Sequence, residues 1–320
     1  MMQENKLNIL ITGAYGFVGS NISAFLKKNL NCNLIALDIK QGEGAYDNFF
    51  TWNDIEMIEW NSVDTVIHLA GMAHDTKNTT DESKYFEINT GLTQKMFDMF
   101  SKSNAKRFIF FSSVKAATDR VNSNALREDV ACNPKTPYGR SKRAAEEYII
   151  DNRGFELPDK SVFILRPAMI HGKGNKGNLN LLYKVVCKGI PWPLGKFDNS
   201  RSFMGVDNLC FIIKSLIEKD IASGIYNVAD DKPLSTNLLI MLIAKSMGKK
   251  PVIWGISKGL IKCIAKIGDI IHLPLNSERL MKLTENFVVD NSKIKEAIGC
   301  ENLPTSAEKG MFKTLLSFKG

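Results

Sequence analysis

Residues 7–38, LNILITGAYGFVGSNISAFLKKNLNCNLIALD, limit what this chain can fold into more than any other stretch. Residues 7–11 are a short apolar run rich in branched side chains, the pattern of a buried strand. Gly13, Gly16 and Gly19 follow at three-residue spacing, with Ala14, Tyr15, Phe17 and Val18 between them. Over residues 20–30 the apolar Ile22, Phe25, Leu26 and Leu30 share one side of a predicted helix. Residues 34–37 read as a second strand, closed by Asp38.

The order strand, glycine turn, helix, strand, acid has a chemical meaning. Glycines let the chain turn tightly, let its backbone touch a pyrophosphate, and let helix pack closely on strand. The helix N-terminus then offers unpaired N–H groups to phosphate. Asp38, 19 residues after Gly19, places a carboxylate where an adenosine ribose can donate to it. The same carboxylate repels a 2′-phosphate, so the expected cofactor is NAD rather than NADP. Gly13, Tyr15, Gly16, Phe17, Val18, Gly19 and Asp38 are the expected contacts of its adenosine diphosphate half.

Further strands follow at residues 63–69, 107–111 and 162–165, separated by helical patterns, which predicts an α/β chain with a doubly wound parallel sheet. Ligands sit outside the carboxyl ends of such strands. Ala70 and Gly71 follow one strand end, Ser112 and Ser113 another, and Pro167 a third. His68, inside an apolar strand, reads as a core histidine. His74, in the polar loop after it, reads as exposed. Residues 82–103 predict one long helix, with Asn89 as a polar residue in its middle that calls for a specific hydrogen-bonding role. Residues 40–60 read as a loop, a short strand and a helical turn. Beyond residue 167 the alternation breaks down. The expected division is a dinucleotide-binding domain over 1–166 and a smaller substrate domain over 167–320, with segments near 207–229 returning to the first.

Thr136 is a suitable helix N-cap, and Pro137 suits the first helical position. Tyr138 and Lys142 then lie four apart on one face. A phenol with a pKa of about 10 is a poor base at neutral pH. A nearby ammonium and a helix N-terminus both favour phenolate. Such a tyrosine can take a proton from a hydroxyl while the carbon bearing it loses hydride. Ser113 at a strand end can position the same oxygen.

The whole set resembles the extended short-chain dehydrogenase/reductase family, in its NAD-dependent epimerase/dehydratase branch. Residues 12–19, TGAYGFVG, carry its glycine spacing, one residue longer than the common fingerprint. Residues 138–142, YGRSK, match its catalytic motif, and Ser113 its catalytic serine or threonine. His68-Leu69-Ala70-Gly71 and Asn89 match its cofactor-side motif and helix asparagine; Ser112 and the 165–167 stretch LRP fit as well. The resemblance implies a Rossmann-type fold with NAD bound also by Leu69, Ala70, Gly71, Asn89, Ser112, Tyr138, Lys142 and Pro167. It implies that Ser113, Tyr138 and Lys142 are catalytic. It also implies that Arg201, in RSFMGVDNL, and Arg279 hold a substrate diphosphate.

Residues 110–119, FFSSVKAATD, and 137–146, PYGRSKRAAE, are similar to bacterial UDP-glucose or UDP-N-acetylglucosamine 4-epimerase-like proteins of polysaccharide clusters. Some proteins of that kind reduce a UDP-4-keto-6-deoxy sugar instead, and others act on polyprenyl-diphosphate-linked sugars. Sugar 4,6-dehydratases follow their serine or threonine with Asp-Glu; here Val114-Lys115 follows Ser113, which disfavours dehydration. His171 stands where a tyrosine is common, which implies a different hexose pocket. The alternative from another class is a non-catalytic dinucleotide-binding protein on the same fold. The resemblance further implies a homodimer formed through the helices of Asn89 and Tyr138.

Composition narrows the setting. Six scattered cysteines and four histidines show no ligand spacing, so no metal and no disulfide frame is expected. The N-terminus passes from a polar tail directly into a strand, without a signal peptide, and a cytoplasmic protein is expected. Net charge is +8, yet no nucleic-acid motif accompanies it. Residues 253–272 place Lys258, Lys262 and Lys266 on one stripe of a helix and isoleucines on another. They are expected to pack on the substrate domain, with peripheral contact to an anionic membrane as the alternative.

Overall fold

The computed structural model describes residues 6–72, 81–121, 124–175, 177–271 and 275–319. His74 lies outside them. The chain begins with β1 (Leu7–Thr12), α1 (Phe17–Asn29), β2 (Cys32–Asp38), β3 (Asn48–Thr51) and β4 (Thr65–His68). It continues with α2 (Glu82–Tyr85), a π-helical turn (Phe86–Gly91), α3 (Leu92–Lys102), β5 (Arg107–Phe111), α4 (Pro137–Asp151) and β6 (Ser161–Pro167). Then come β7 (Met169–His171), α5 (Asn178–Cys187), β8 (Phe203–Gly205), α6 (Val206–Glu218) and β9 (Gly224–Val228). The remainder is helical: α7 (Thr236–Ser246), α8 (Lys258–Ile271), α9 (Ser277–Thr284), α10 (Ser292–Ala297) and α11 (Ala307–Leu316).

Seven strands form one sheet in the order β3-β2-β1-β4-β5-β6-β9, with every pair parallel. Alternating side chains on each strand enter different cores. Ile9, Ile11, Ile109, Phe111, Phe163 and Leu165 face the layer that contains α1 and α6. Leu10, Phe108, Phe110, Val162 and Ile164 face the layer of α3 and α4. Both faces are covered, which is why these strands read as continuous apolar runs. The direction of winding reverses between β1 and β4, and the crevice there is where a doubly wound sheet takes ligands.

Three local results differ from the sequence expectation. The first helix starts at Phe17 rather than residue 20, because Gly16 is its extended N-cap and accepts from Ser20 N at 3.0 Å. The long helix over 82–103 is interrupted by the π turn that contains Asn89, a form that is rare and frequent at functional sites. His171 is fully buried on β7, against Thr314 (2.8 Å), Asp230 (3.5 Å) and the Phe203 ring; it lies in the core, not in a sugar pocket.

Chain beyond residue 167 both extends the sheet and builds a helical annex. β9 pairs with β6 from Phe163↔Gly224 to Pro167↔Val228. α5, α7 and α11 share one core. α8 and α9 share another through Ile261, Ala265 and Leu280, together with Trp192, Leu194 and Ile240.

Candidate active site

The glycine turn is built by close approach. Gly13 has φ +62°, and a Cβ there would lie 2.9 Å from Ala70 N. A Cβ on Gly19 would lie 2.6 Å from the Gly13 carbonyl oxygen. Gly13 N donates to Leu37 O, and Ala70 N to the Thr12 hydroxyl. The turn therefore lies against residues 69–71 at the β1/β4 reversal. Tyr15 N donates to Asp38 Oδ2 at 2.9 Å, and Ile39 N to its Oδ1 at 2.7 Å. Asp38 thus stands at the end of β2 beside the turn. The Tyr15 ring meets Tyr46 edge-on at 5.3 Å and Phe49 at 5.8 Å. Phe17 and Val18 open α1, half-buried.

Asn89 clamps the opposite side of the crevice. It is fully buried. Its Oδ1 accepts from Met72 N at 2.8 Å, and its Nδ2 donates to Met72 O and Ser141 Oγ at 3.1 and 2.9 Å. A Cβ on Gly71 would lie 2.8 Å from Asn89 Oδ1 and 3.0 Å from Lys142 Nζ. One asparagine therefore ties the segment after β4 to α4. His68 is a core histidine, bonded on both ring nitrogens to Thr12 (2.7 Å) and Thr93 (3.0 Å) and stacked on Phe110.

α4 carries Tyr138 and Lys142. Thr136 caps it through Gly139 N at 3.2 Å, and Pro137 occupies its first turn. Asp119 fixes the approach by accepting from Lys135 N and from Thr136. Ser113, at the end of β5, caps a 3-10 turn over Val114–Ala116 through Lys115 N. Lys142 is buried and donates to Phe111 O at 2.8 Å. Burial lowers its pKa to about 8, against the opposing pull of Glu146.

The phenol departs from expectation. Burial pushes the Tyr138 pKa above its ordinary value, the Ser113 hydroxyl pulls it back, and Tyr85, edge-on at 6.4 Å, pushes it up further. The sequence predicts a phenol lowered by Lys142. Desolvation dominates instead, and the ammonium is turned to a strand-end carbonyl.

Sequence reasoning missed the support beneath these groups. Glu146 is fully buried and receives Arg166 Nε at 2.8 Å and Nη2 at 2.6 Å. Its Oε1 also accepts from the Ser112 hydroxyl at 2.5 Å. The pair joins α4 to the end of β6 and to the residue before Ser113. Its signal was present: Tyr138, Lys142 and Glu146 follow one another at four-residue steps.

Beyond Ser113 and Tyr138 an open cleft of about 1010 Å³ lies between residues 115–136 and α9. Lys115, Arg120, Lys135, Met281, Lys282 and Glu285 line it. Lys115 reaches Asp119 O at 2.9 Å and lies 4.2 Å from the centre of the Phe287 ring. Burial lowers its pKa, with Glu285 and Asp119 opposing. Arg201 is mostly buried; Nη1 donates to Lys282 O at 2.6 Å, and Nη2 lies 3.8 Å from Glu285. Arg279 is on the exposed flank of α9, with its backbone N–H on the Asn276 cap. Arg201 is thus held at the base of α9, while Arg279 projects from the helix surface. Pro167 ends β6 beside Val228.

A model of the family described as NAD dependent epimerase/dehydratase matches residues 9–229. The chain belongs to that family. The UDP-glucose 4-epimerase of Vibrio cholerae is 29% identical over 325 residues, covering 97% of this chain and 95% of that protein. The N-acetyl-alpha-D-glucosaminyl-diphospho-ditrans,octacis-undecaprenol 4-epimerase of Escherichia coli O157:H7 is 30% identical over 76% of this chain and 73% of that protein. The crystal structure of UDP-N-acetylglucosamine 4-epimerase from Bacillus cereus superposes with a TM-score of 0.76 at 20% identity, covering 98% of this chain and all of the other. MoeE5 in complex with UDP-glucose and NAD gives 0.75 at 20% identity, covering 98% of each chain. The likeness of structure shows the same Rossmann-type fold along the chain. The chain is an NAD-dependent enzyme of the nucleotide-sugar epimerase type. Its own residues suit that cofactor: a Cβ on Gly13 or Gly19 would collide with backbone of the turn or of residues 69–70, and one on Gly71 with Asn89 and Lys142, so only glycine lets these segments pack as closely as they do at the sheet reversal where a dinucleotide binds.

Proposed function

We propose that this enzyme epimerises C4 of a UDP-hexose or UDP-N-acetylhexosamine for surface polysaccharide. The observation that carries the reading is the meeting of Ser113 and Tyr138 at the strand ends, with Lys142 one turn further on α4. Bound NAD would supply the hydride acceptor at C4, and inversion would require the hydride to return to the opposite face of the 4-keto sugar once that sugar has turned over. Tyr138 takes the 4-hydroxyl proton and gives it back. Ser113 orients that oxygen. Lys142, positive when protonated, favours the ionised phenol and fits a role at the nicotinamide ribose. Gly13, Tyr15, Gly16, Phe17, Val18 and Gly19 cradle the pyrophosphate, Asp38 accepts from the adenosine ribose, and Leu69, Ala70, Gly71, Asn89, Ser112 and Pro167 wall the nicotinamide side. Arg201 and Arg279 serve the substrate diphosphate, with Arg201 exchanging its hold on Lys282 O for phosphate. The absence of an acid–base pair after Ser113, where Val114 and Lys115 stand, speaks against dehydration.

A second reading concerns the carrier: the Escherichia coli relative is named for a sugar on undecaprenyl diphosphate, and a diphosphate is common to both carriers. Purified chain, with no added cofactor, is incubated with UDP-N-acetylglucosamine, UDP-glucose, or N-acetylglucosaminyl-diphospho-undecaprenol, and the sugars are resolved by NMR. The 4-epimer of a UDP-sugar is the expected product. Conversion of the lipid-linked sugar alone selects the second carrier. Turnover only of a UDP-4-keto sugar, with one NADH consumed per sugar, overturns epimerisation in favour of reduction.

A further inference from the structure

α8 is amphipathic in an unusual way. Ile261, Ala265 and Gly268 bury one side of it against Trp192, Leu194, Ile240 and Leu280. Its outward side carries Leu260, Ile264, Ile267, Ile270 and Ile271, between 36% and 77% exposed. At 3.6 residues per turn these five fill roughly a third of the circumference. Lys258, Lys262 and Lys266 form the stripe between the buried side and this apolar arc, and all three are exposed. Sixteen large hydrophobic residues are exposed among the described residues, and seven of them fall within residues 252–271, Val252 and Trp254 included. Such concentration marks an interaction surface rather than ordinary scatter.

We propose that this face docks on an anionic lipid bilayer. Charge decides among the occupants. Residues 247–271 hold five lysines and a single aspartate, and that aspartate, Asp269, is engaged in capping Ser277. A self-complementary contact between two copies would set these lysine stripes near each other, whereas an anionic surface attracts them. Apolar arc below, lysines at headgroup level and a tryptophan beside the helix is the arrangement that lies in an interface plane. A helix of 14 residues is too short to span the hydrocarbon core, which needs about 20.

The position has a consequence for the cleft. α9 presents Leu280 to α8 and Met281 and Lys282 to the cleft. The helix that carries the docking face therefore packs directly on the helix that forms one wall of the cleft. The inference stands on α8 and holds whichever sugar carrier the enzyme takes.

The test is flotation of the full chain with phosphatidylglycerol-rich vesicles and with vesicles of phosphatidylcholine alone. Binding is expected to the first, weakened by salt, with a blue shift of tryptophan emission that Trp254→Phe removes. Lys262→Glu with Lys266→Glu is expected to lower vesicle binding at least about tenfold, and Ile267→Glu with Ile270→Glu to abolish it. These exposed changes should leave melting temperature and NAD binding unaltered, which separates lost docking from lost folding. Full recovery of the wild-type chain in the lipid-free fraction at low salt overturns the proposal. So does a dimer, measured by light scattering without lipid, that the isoleucine variant dissociates while neither protein floats.

Discussion

At the residue scale the proposed chemistry rests on a phenol whose surroundings favour its protonated form. Burial and Tyr85 raise Tyr138, and only Ser113 lowers it. Lys142, with its pKa near 8, keeps most of its charge at neutral pH but directs it to Phe111 O. Tyr138→Phe removes only the acid–base oxygen. Turnover should fall about 10²- to 10⁴-fold, while NAD binding, measured by calorimetry, stays within a small factor of wild type. Near-normal turnover would remove Tyr138 from the mechanism.

At the element scale, α4 is fixed at three places. Its N-terminus is capped by Thr136 and tied by Asp119. Its first turns are clamped by Asn89 through Ser141. Lower down, Glu146 locks it to β6 through the bidentate Arg166 and to the end of β5 through Ser112. The last contact is the most sensitive, because removing one partner strands a buried charge. Glu146→Gln should destabilise the fold by about 3–5 kcal/mol in urea titration. A loss below about 1 kcal/mol would mean that the pair adds little to holding α4.

At the scale of the whole molecule, the same burial makes the fold acid-sensitive. The His68 ring is held down at about 3, first by burial and second by the Lys142 charge. Unfolded, it titrates near 6.5. Below that pH the unfolded chain binds a proton that the folded chain excludes. The contribution is therefore complete above pH 6.5 and is lost as pH falls from 6.5 toward 3. Stability to urea should decline through this window, with His68 contributing up to about 1.4 kcal/mol per pH unit. A His68→Gln variant should decline less steeply over its upper part, before carboxylates begin to protonate. Equal slopes for the two proteins would show that His68 takes up its proton in the folded chain as readily as in the unfolded one.

The sequence alone determined the elements whose chemistry is local. The glycine turn, Asp38 after it, the Tyr138–Lys142 pair and the cap at Thr136 are each written within one or two turns of chain, where spacing fixes geometry. Apolar runs marked the central strands because both faces of a parallel sheet are buried. Contacts between distant segments carry no such local signature, and the tertiary structure decided them. It placed β9 beside β6, put His171 in the core against a helix 143 residues away, and set a π turn around Asn89, whose amide spans Met72 and Ser141. It paired Glu146 with Arg166, and it turned Ile264, Ile267, Ile270 and Ile271 of α8 outward while burying Ile261. Periodicity gives a helix its faces; which face meets the core depends on what packs against it, and that is settled only when the chain has folded.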